Sequence, residues 1–459
     1  SIKGTLEGAG PNYQRFTARV NNTMDTKFIK FRTSLVYSHS NQDGMARANT
    51  DAEYVPGLWG SNTTMLENTL TMQPTIKAYD ESTWVLDDKV GAAKDYQYDS
   101  YGYGTYYDEI HGDIRSRNPL LFNQMLTRNS LVDRLVATGS AEVELLKLFG
   151  MENKNHKLTY KLNLSYSTTH VTEKTWTSAW MQSNNVYLSK EDERLDKANH
   201  QHSDFLSENT LNYEGTIGEH HINALVGITY EEENTNNLAA WGLNLSMPYF
   251  LQLQNADDRD ANSSEFKHAM SSYIGRLNYD YAGKYLLSAV IRRDGSSRLT
   301  KDIRWGTFPS VSLGWRFDKE SFFPFSRDLF SMFKLRASYG ELGNENIGEY
   351  VYMATMARNN MKYSFGNQEV SGSAISTYVN EKLAWEKKSS TNIGLDLAMF
   401  NNRIEFSAEW FKNKSTDLLY SVSVPANAGV ANTTVTMNAA SMENSGFEFS
   451  LTYRNNDHA

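Results

Sequence analysis

The stretch AGKYLLSAVIRRDGSSRL, Ala282 to Leu299, decides how the rest of the chain is read. Taken at alternate positions it splits into two sets. Tyr285, Leu287, Ala289 and Ile291 are wholly apolar, while Leu286, Ser288, Val290, Arg292 and Asp294 drift toward charge. Side chains of a β-strand alternate between its two faces, so this is a strand with one oily face. The remaining segments must say whether that face meets protein or lipid.

The pattern recurs along the chain. Tyr273, Leu277, Tyr279 and Tyr281 alternate with Arg276, Asn278 and Asp280. Val311, Leu313, Trp315 and Phe317 alternate with Ser312, Gly314 and Arg316, and Phe333, Leu335, Ala337 and Tyr339 with Lys334, Arg336 and Ser338. Ile393, Leu395, Leu397 and Met399 alternate with Asn392, Gly394 and Asp396. The period predicts about thirteen strands, near 11–20, 27–39, 134–147, 157–169, 206–217, 220–232, 266–281, 284–294, 305–317, 332–342, 389–399, 403–419 and 444–454. Most approach the ~9–11 residues of a tilted membrane strand. One short helix is expected around Lys319 to Met332.

Connections separate into two kinds. GEHH (218–221), YAGK (281–284) and FNNR (400–403) are tight, and GMENKNHK (150–157) is short. Between them lie long segments at 41–133, 171–205, 233–265, 343–388 and 420–443. Alternating short and long connections characterise outer-membrane barrels, with tight periplasmic turns and long extracellular loops. A soluble sandwich shares the alternating strands. Charged and polar residues on the second face, aromatics near strand ends and loops far beyond the ~4–6 residues of compact domains favour the membrane barrel. Fold class is therefore all-β, a transmembrane antiparallel barrel over 1–459, with the face of Tyr285 to Ile291 toward lipid. Arg292, Arg293 and Asp294 mark where that strand leaves the bilayer.

Composition agrees. The 459 residues hold no cysteine, and the net charge of -9 offers no basic stripe for nucleic acid. No run of ~18 apolar residues suggests a membrane helix. The histidines, including the His200-x-His202 pair and His220-His221, lack the convergence of a zinc site. Acids Asp257, Asp258 and Asp260, in the expected loop 233–265, carry oxygens that suit calcium, but their spacing is not that of a helix–loop–helix calcium site and a solvated acidic loop is preferred. RRDGSSR (292–298) lacks the phosphate-loop pattern, so Arg292, Arg293 and Asp294 are expected to pair with neighbours at the lumen mouth. No catalytic constellation stands out, so the chain is not expected to be an enzyme.

SYIGRLNYDYAGKYLLSAVIRRDGSSRL, RWGTFPSVSLGWRFDKESFF, FKLRASYGELGNENIGEY, AWEKKSSTNIGLDLAMFNNRIEFSAEWFKNKSTDLLYSVSVP and NAASMENSGFEFSLTY resemble, in order and spacing, the SusC-like (RagA/SusC) TonB-dependent transporters of Bacteroidota outer membranes. The resemblance is dense from Ser271 to Tyr453 and thinner before it. It implies a 22-stranded barrel plugged by an N-terminal domain, energy from a TonB complex, a SusD-like lipoprotein over the extracellular mouth, and a dimer of transporter–lipoprotein pairs. Substrates in that family are oligosaccharides and some oligopeptides. Plug, TonB box and last strands are not recognised here, so the chain is expected to be part of a longer polypeptide.

Active import is thus the leading functional expectation, with a passive porin or a surface adhesin or secreted β-rich binding protein as alternatives. Lumen-facing Arg276, Arg316, Arg336 and Asp396 and the aromatics Tyr101, Tyr103, Tyr106, Tyr107, Trp241 and Trp305 are the candidates for lining a substrate path. Tyrosine and tryptophan offer flat area at low entropic cost, which suits sugars and peptides alike.

Overall fold

The computed structural model describes residues 2–3, 12–43, 106–108, 113–116, 126–177, 193–247, 250–326, 329–375, 379–380, 382–425 and 434–454. A single antiparallel sheet of 14 strands dominates. In order across the sheet they are β1 (Ile2–Lys3), β2 (Asn12–Asp25), β3 (Ile29–Asp43), β6 (Leu126–Glu144), β7 (His156–Thr177), β8 (Arg194–Ile217), β9 (His220–Leu245), β10 (Ala256–Tyr281), β11 (Tyr285–Ser296), β12 (Trp305–Arg316), β13 (Phe330–Asn344), β16 (Glu386–Met399), β17 (Ile404–Ser423) and β18 (Thr434–Tyr453). Two separate hairpins, β4 (Tyr106–Asp108) with β5 (Asp113–Ser116) and β14 (Met356–Phe365) with β15 (Gln368–Ile375), lie in the connections. All thirteen expected strands are found, and the two-residue β1 is added at one edge. β1 and β18 are the edges of the sheet, which is not closed among the described residues.

Register carries the architecture. From β2 to β12 every ladder runs without a slip. A one-residue slip would turn a strand's whole apolar set to the other face. Without one, the apolar sets meet across the sheet: Val226 opposes Gly275, which opposes Ile291, and Leu287, Leu313, Ala337 and Ile393 fall in one row. Val226 is 59% exposed, Ile291 56% and Leu313 54%, with no described element covering them. An apolar face left bare from strand to strand is what lipid, not a protein core, requires.

Two aromatic belts bound this face. At the short-turn end Tyr281, Tyr285 and Trp315 stack in sequence at 6.3 and 6.4 Å. Glu320, in the turn beyond, accepts hydrogen bonds from the Tyr285 hydroxyl at 2.6 Å and the Trp315 indole at 3.0 Å. The tyrosine's hydrogen bond, then the tryptophan's, holds the Glu320 carboxyl below its ordinary pKa. At the other end Tyr273 stacks on Trp305 at 5.7 Å. Eight residue steps separate Tyr285 from Arg293. At ~3.3 Å each and a tilt of ~40° they span roughly 20 Å, close to the ~25 Å apolar band of a membrane barrel.

Tight turns sit at one end. Gly283 follows Ala282 at φ +62° and +56°, and its N–H donates to Asp280 at 2.6 Å. Phe400, Asn401 and Asn402 all take positive φ in the turn before β17. The left-handed region favours glycine and asparagine, which Gly283, Asn401 and Asn402 supply, while Ala282 and Phe400 adopt it against their preference.

At the other end the structure corrects the expected loops. β9 and β10 are 26 residues each and pair as far as Leu245↔Ala256. Most of 233–265 is therefore strand, including the acidic run 256–265. Likewise β7 and β8 extend into 171–205, and β17 and β18 into 420–443. These extensions outrun the ~9–11 residues that a bilayer needs, and their polar composition hid them from an apolar period. The helix expected at 319–332 is also absent among the described residues. A 3-10 turn at Phe317–Lys319 leads instead into a phenylalanine cluster in which Phe317, Phe323, Phe325 and Phe330 meet mostly edge to face. Pro324 disfavours helix there, and ring packing takes its place.

A small core closes the long-loop end: Leu299, Phe308, Ile347, Leu383 and Trp385 are buried together. Paired register between β12 and β13 stops at Ser310↔Gly340, and Phe308 packs beyond that point. A Cβ on Gly343 would lie 2.1 Å from the Phe308 ring, and one on Gly306 2.4 Å. Trp385 meets Phe308 edge-on at 5.5 Å and donates its indole N–H to Arg304 O at 2.9 Å. Replacing Trp385 by Ala should cost about 3 kcal/mol through the cavity left, and Gly343 by Val about 1–3 kcal/mol through overpacking against Phe308. The expected outcome is faster proteolysis within 345–353 while heat-modifiable gel migration, which reports the wall, is retained.

Candidate functional site: the polar face of the wall

The face opposite the apolar band carries the charge. Arg336 on β13 reaches across to two strands, with Nε 3.2 Å from Asp396 Oδ2 on β16 and Nη2 2.5 Å from Glu409 Oε2 on β17. Gly394 makes room, since a Cβ there would lie 2.6 Å from the guanidinium carbon. Arg316 is held by Asp318 two residues on, with both bonds at 2.8 Å. The same arginine-x-aspartate device recurs at Arg292–Asp294, 2.7 Å, and Arg194–Asp196, 2.7 Å. Residues i and i+2 share a strand face, so the Arg292 and Arg194 pairs form within one strand, while Asp318 reaches Arg316 from the 3-10 turn that follows β12. Of the expected path residues, Arg316, Arg336 and Asp396 therefore lie on the polar face but are engaged in the wall itself.

Arg276 differs. It sits at mid-height on β10 between Leu225 and Val290, is exposed, and has no ion-pair partner among the described residues. Nearer the short-turn end, Asn223, Asn278, Asp280, Ser288 and Lys334 border a concavity of about 430 Å³ that Leu286, Leu287 and Leu313 also line. Toward the long-loop end Trp241 shares the face of Arg276, with the Arg194 guanidinium 5.0 Å from its ring. Beside them runs a hydrogen-bonded row that the sequence reading missed: His200 Nδ1 contacts Asn237 Oδ1 at 2.9 Å, and Asn237 donates to Ser264 at 3.2 Å. His200 falls within the expected loop 171–205. Only the extended register of β8, β9 and β10 aligns the three.

Other expectations fall elsewhere. Trp305 shares the apolar face with Val311 and Leu313 and stacks on Tyr273, so the outer belt and not the polar face holds it. Arg292 pairs with Asp294 as expected, but Arg293 points to the opposite face. Tyr101 and Tyr103 lie outside the described residues. Tyr106 and Tyr107 belong to β4, and their side chains are not described. Asp258 and Asp260 occupy one face of β10 and Asp257 the other, and no cluster of three metal-binding side chains occurs among the described residues.

The wall-internal pairs generate a stability prediction. Arg336→Met would leave Asp396 and Glu409 facing each other without their cation, at a cost of about 1–3 kcal/mol in this partly solvated setting. Adding Glu409→Gln should recover part of that loss. Urea unfolding of the four members of the cycle measures it, and additive effects would show that Arg336 and Glu409 act independently.

Comparison with known proteins now adds to this geometry. Residues 78–456 match the family model described as TonB dependent receptor-like, beta-barrel. SusC, a TonB-dependent receptor of Bacteroides thetaiotaomicron, is 38% identical over 206 residues, covering 44% of this chain and 20% of that protein. The TonB-dependent receptor P39 of Formosa agariphila is 34% identical over 257 residues, covering 54% of this chain and 24% of the relative. Among solved structures, that of the RagAB peptide transporter superposes with a TM-score of 0.71 at 23% identity, over 98% of this chain and 45% of the other. The chain thus spans about half the length of the solved structures that it matches. Strand order, bare apolar face, charged inner face and family match converge: the chain belongs to the TonB-dependent receptor-like β-barrel family and forms wall of an outer-membrane barrel.

Proposed function

We propose that this wall belongs to an active importer of oligosaccharides or oligopeptides, energised through TonB and working with a SusD-like surface lipoprotein. The observation that carries the reading is the division of labour on the polar face. Arg128, Arg194, Arg292, Arg316 and Arg336 are bound to carboxylates of the wall, while Arg276 at mid-height and Trp241 with the His200–Asn237–Ser264 row toward the mouth remain turned to the interior. A lining held in part by its own ion pairs still offers polar and aromatic groups to meet a solute, as ligand sites generally do. SusC and the RagAB peptide transporter, the relatives reported above, support this reading.

Two experiments test it. Mild-detergent purification from native outer membrane, with mass spectrometry of everything retained, should yield a stoichiometric SusD-like lipoprotein. A barrel recovered alone would count against the lidded importer. Arg276→Ala in the full-length protein should lower substrate-dependent growth or uptake about tenfold, the worth of one charge-assisted hydrogen bond, with heat-modifiable migration unchanged. Uptake equal to that of the parent would remove Arg276 from the path.

A further inference from the structure

Arg293 stands on the wrong face for an importer's lining. Its position in β11, two residues beyond Ile291 and paired with Tyr273 and Thr307, puts it on the apolar, lipid side. The side chain is exposed, and its guanidinium lies 5.4 Å from the Trp305 ring, which in turn stacks on Tyr273. No carboxylate pairs with it among the described residues, whereas its neighbour Arg292 is bound by Asp294 at 2.7 Å.

A lone cation toward lipid is costly at the bilayer midplane and close to neutral at the interface. Arg293 sits at that interface, roughly 20 Å above the Tyr285–Trp315 belt along the tilted strand. The anion that a membrane offers at headgroup depth is a phosphate. An arginine fork meets phosphate oxygens bidentately, and the indole beneath it fixes the plane of the fork. Ser271, Thr307 and Tyr273 share this face by register and add hydroxyl donors around the same spot.

We propose that Arg293, on its Trp305–Tyr273 platform, is a docking site for the phosphate of an outer-leaflet lipid headgroup. Such a site fixes the height and rotation of the wall in the membrane, whatever solute the barrel carries. The proposal rests on the barrel's placement in the outer membrane and is independent of the import reading.

The test uses the detergent-solubilised full-length protein and native mass spectrometry, with bisphosphorylated lipid A, its dephosphorylated form and inorganic phosphate as probes. The phosphorylated lipid should be retained, its occupancy should fall about tenfold in Arg293→Gln, and Arg293→Lys should be intermediate. Arg276→Gln, on the other face, should retain the lipid as the parent does. Heat-modifiable migration verifies that each variant is folded. Undiminished retention by Arg293→Gln overturns the proposal. Equal binding of the dephosphorylated lipid also overturns it, because acyl contacts would then carry the affinity. Displacement by millimolar inorganic phosphate would show a free-anion site and not a lipid dock.

Discussion

Everything in this molecule depends on an unbroken pairing register. Because side chains alternate strictly along a strand, one slip in any ladder would turn that strand's apolar residues to water and its charges to lipid. From β2 to β12 the ladders run without one, so residues that are neither adjacent in sequence nor packed in a core act as one surface. Backbone hydrogen bonds in turn are satisfied between neighbours, which a membrane demands. The turns that start each register, with Gly283 and the Asn401–Asn402 pair in left-handed conformations, are small but decisive.

The two faces solve opposite problems. The outer one must offer nothing polar over roughly 20 Å, and ends that band with tyrosine and tryptophan whose hydroxyl and N–H groups find acceptors such as Glu320. The inner one carries many charges, and some of its arginines are neutralised within the wall. At Arg292–Asp294 and Arg194–Asp196, arginine and aspartate two residues apart neutralise one another on a single strand. Arg336 instead ties three strands together, and Gly394 is the space in which its guanidinium lies.

Strand positions were legible because the apolar band imposes its period on every sequence crossing it. Outside the band that pressure ends. β8, β9 and β10 continue for a dozen residues in Asn, Thr, Ser and Glu, and a polar strand looks like a loop when hydrophobicity is the only guide. The row of His200, Asn237 and Ser264 was hidden for the same reason. Other errors were avoidable. Trp305 lies six residues before Val311, an even number, so parity alone assigns it to the lipid side. Arg292 and Arg293 are adjacent, so they could never both have pointed at the lumen. The phenylalanines of 317–333 gave no such clue, because their spacing fits a helix as well as the folded-back cluster that forms around Pro324.

The continuation of β9 and β10 past the outer aromatic belt has a thermodynamic meaning. A solute meeting flexible loops must order them, at ~0.5–1.5 kcal/mol for each immobilised side chain. The residues around Trp241 stand on ladders that stay paired as far as Leu245↔Ala256. Their conformational entropy is already spent during folding. Contacts made there are available to affinity almost undiminished, and selectivity at the mouth becomes a matter of shape more than of induced order.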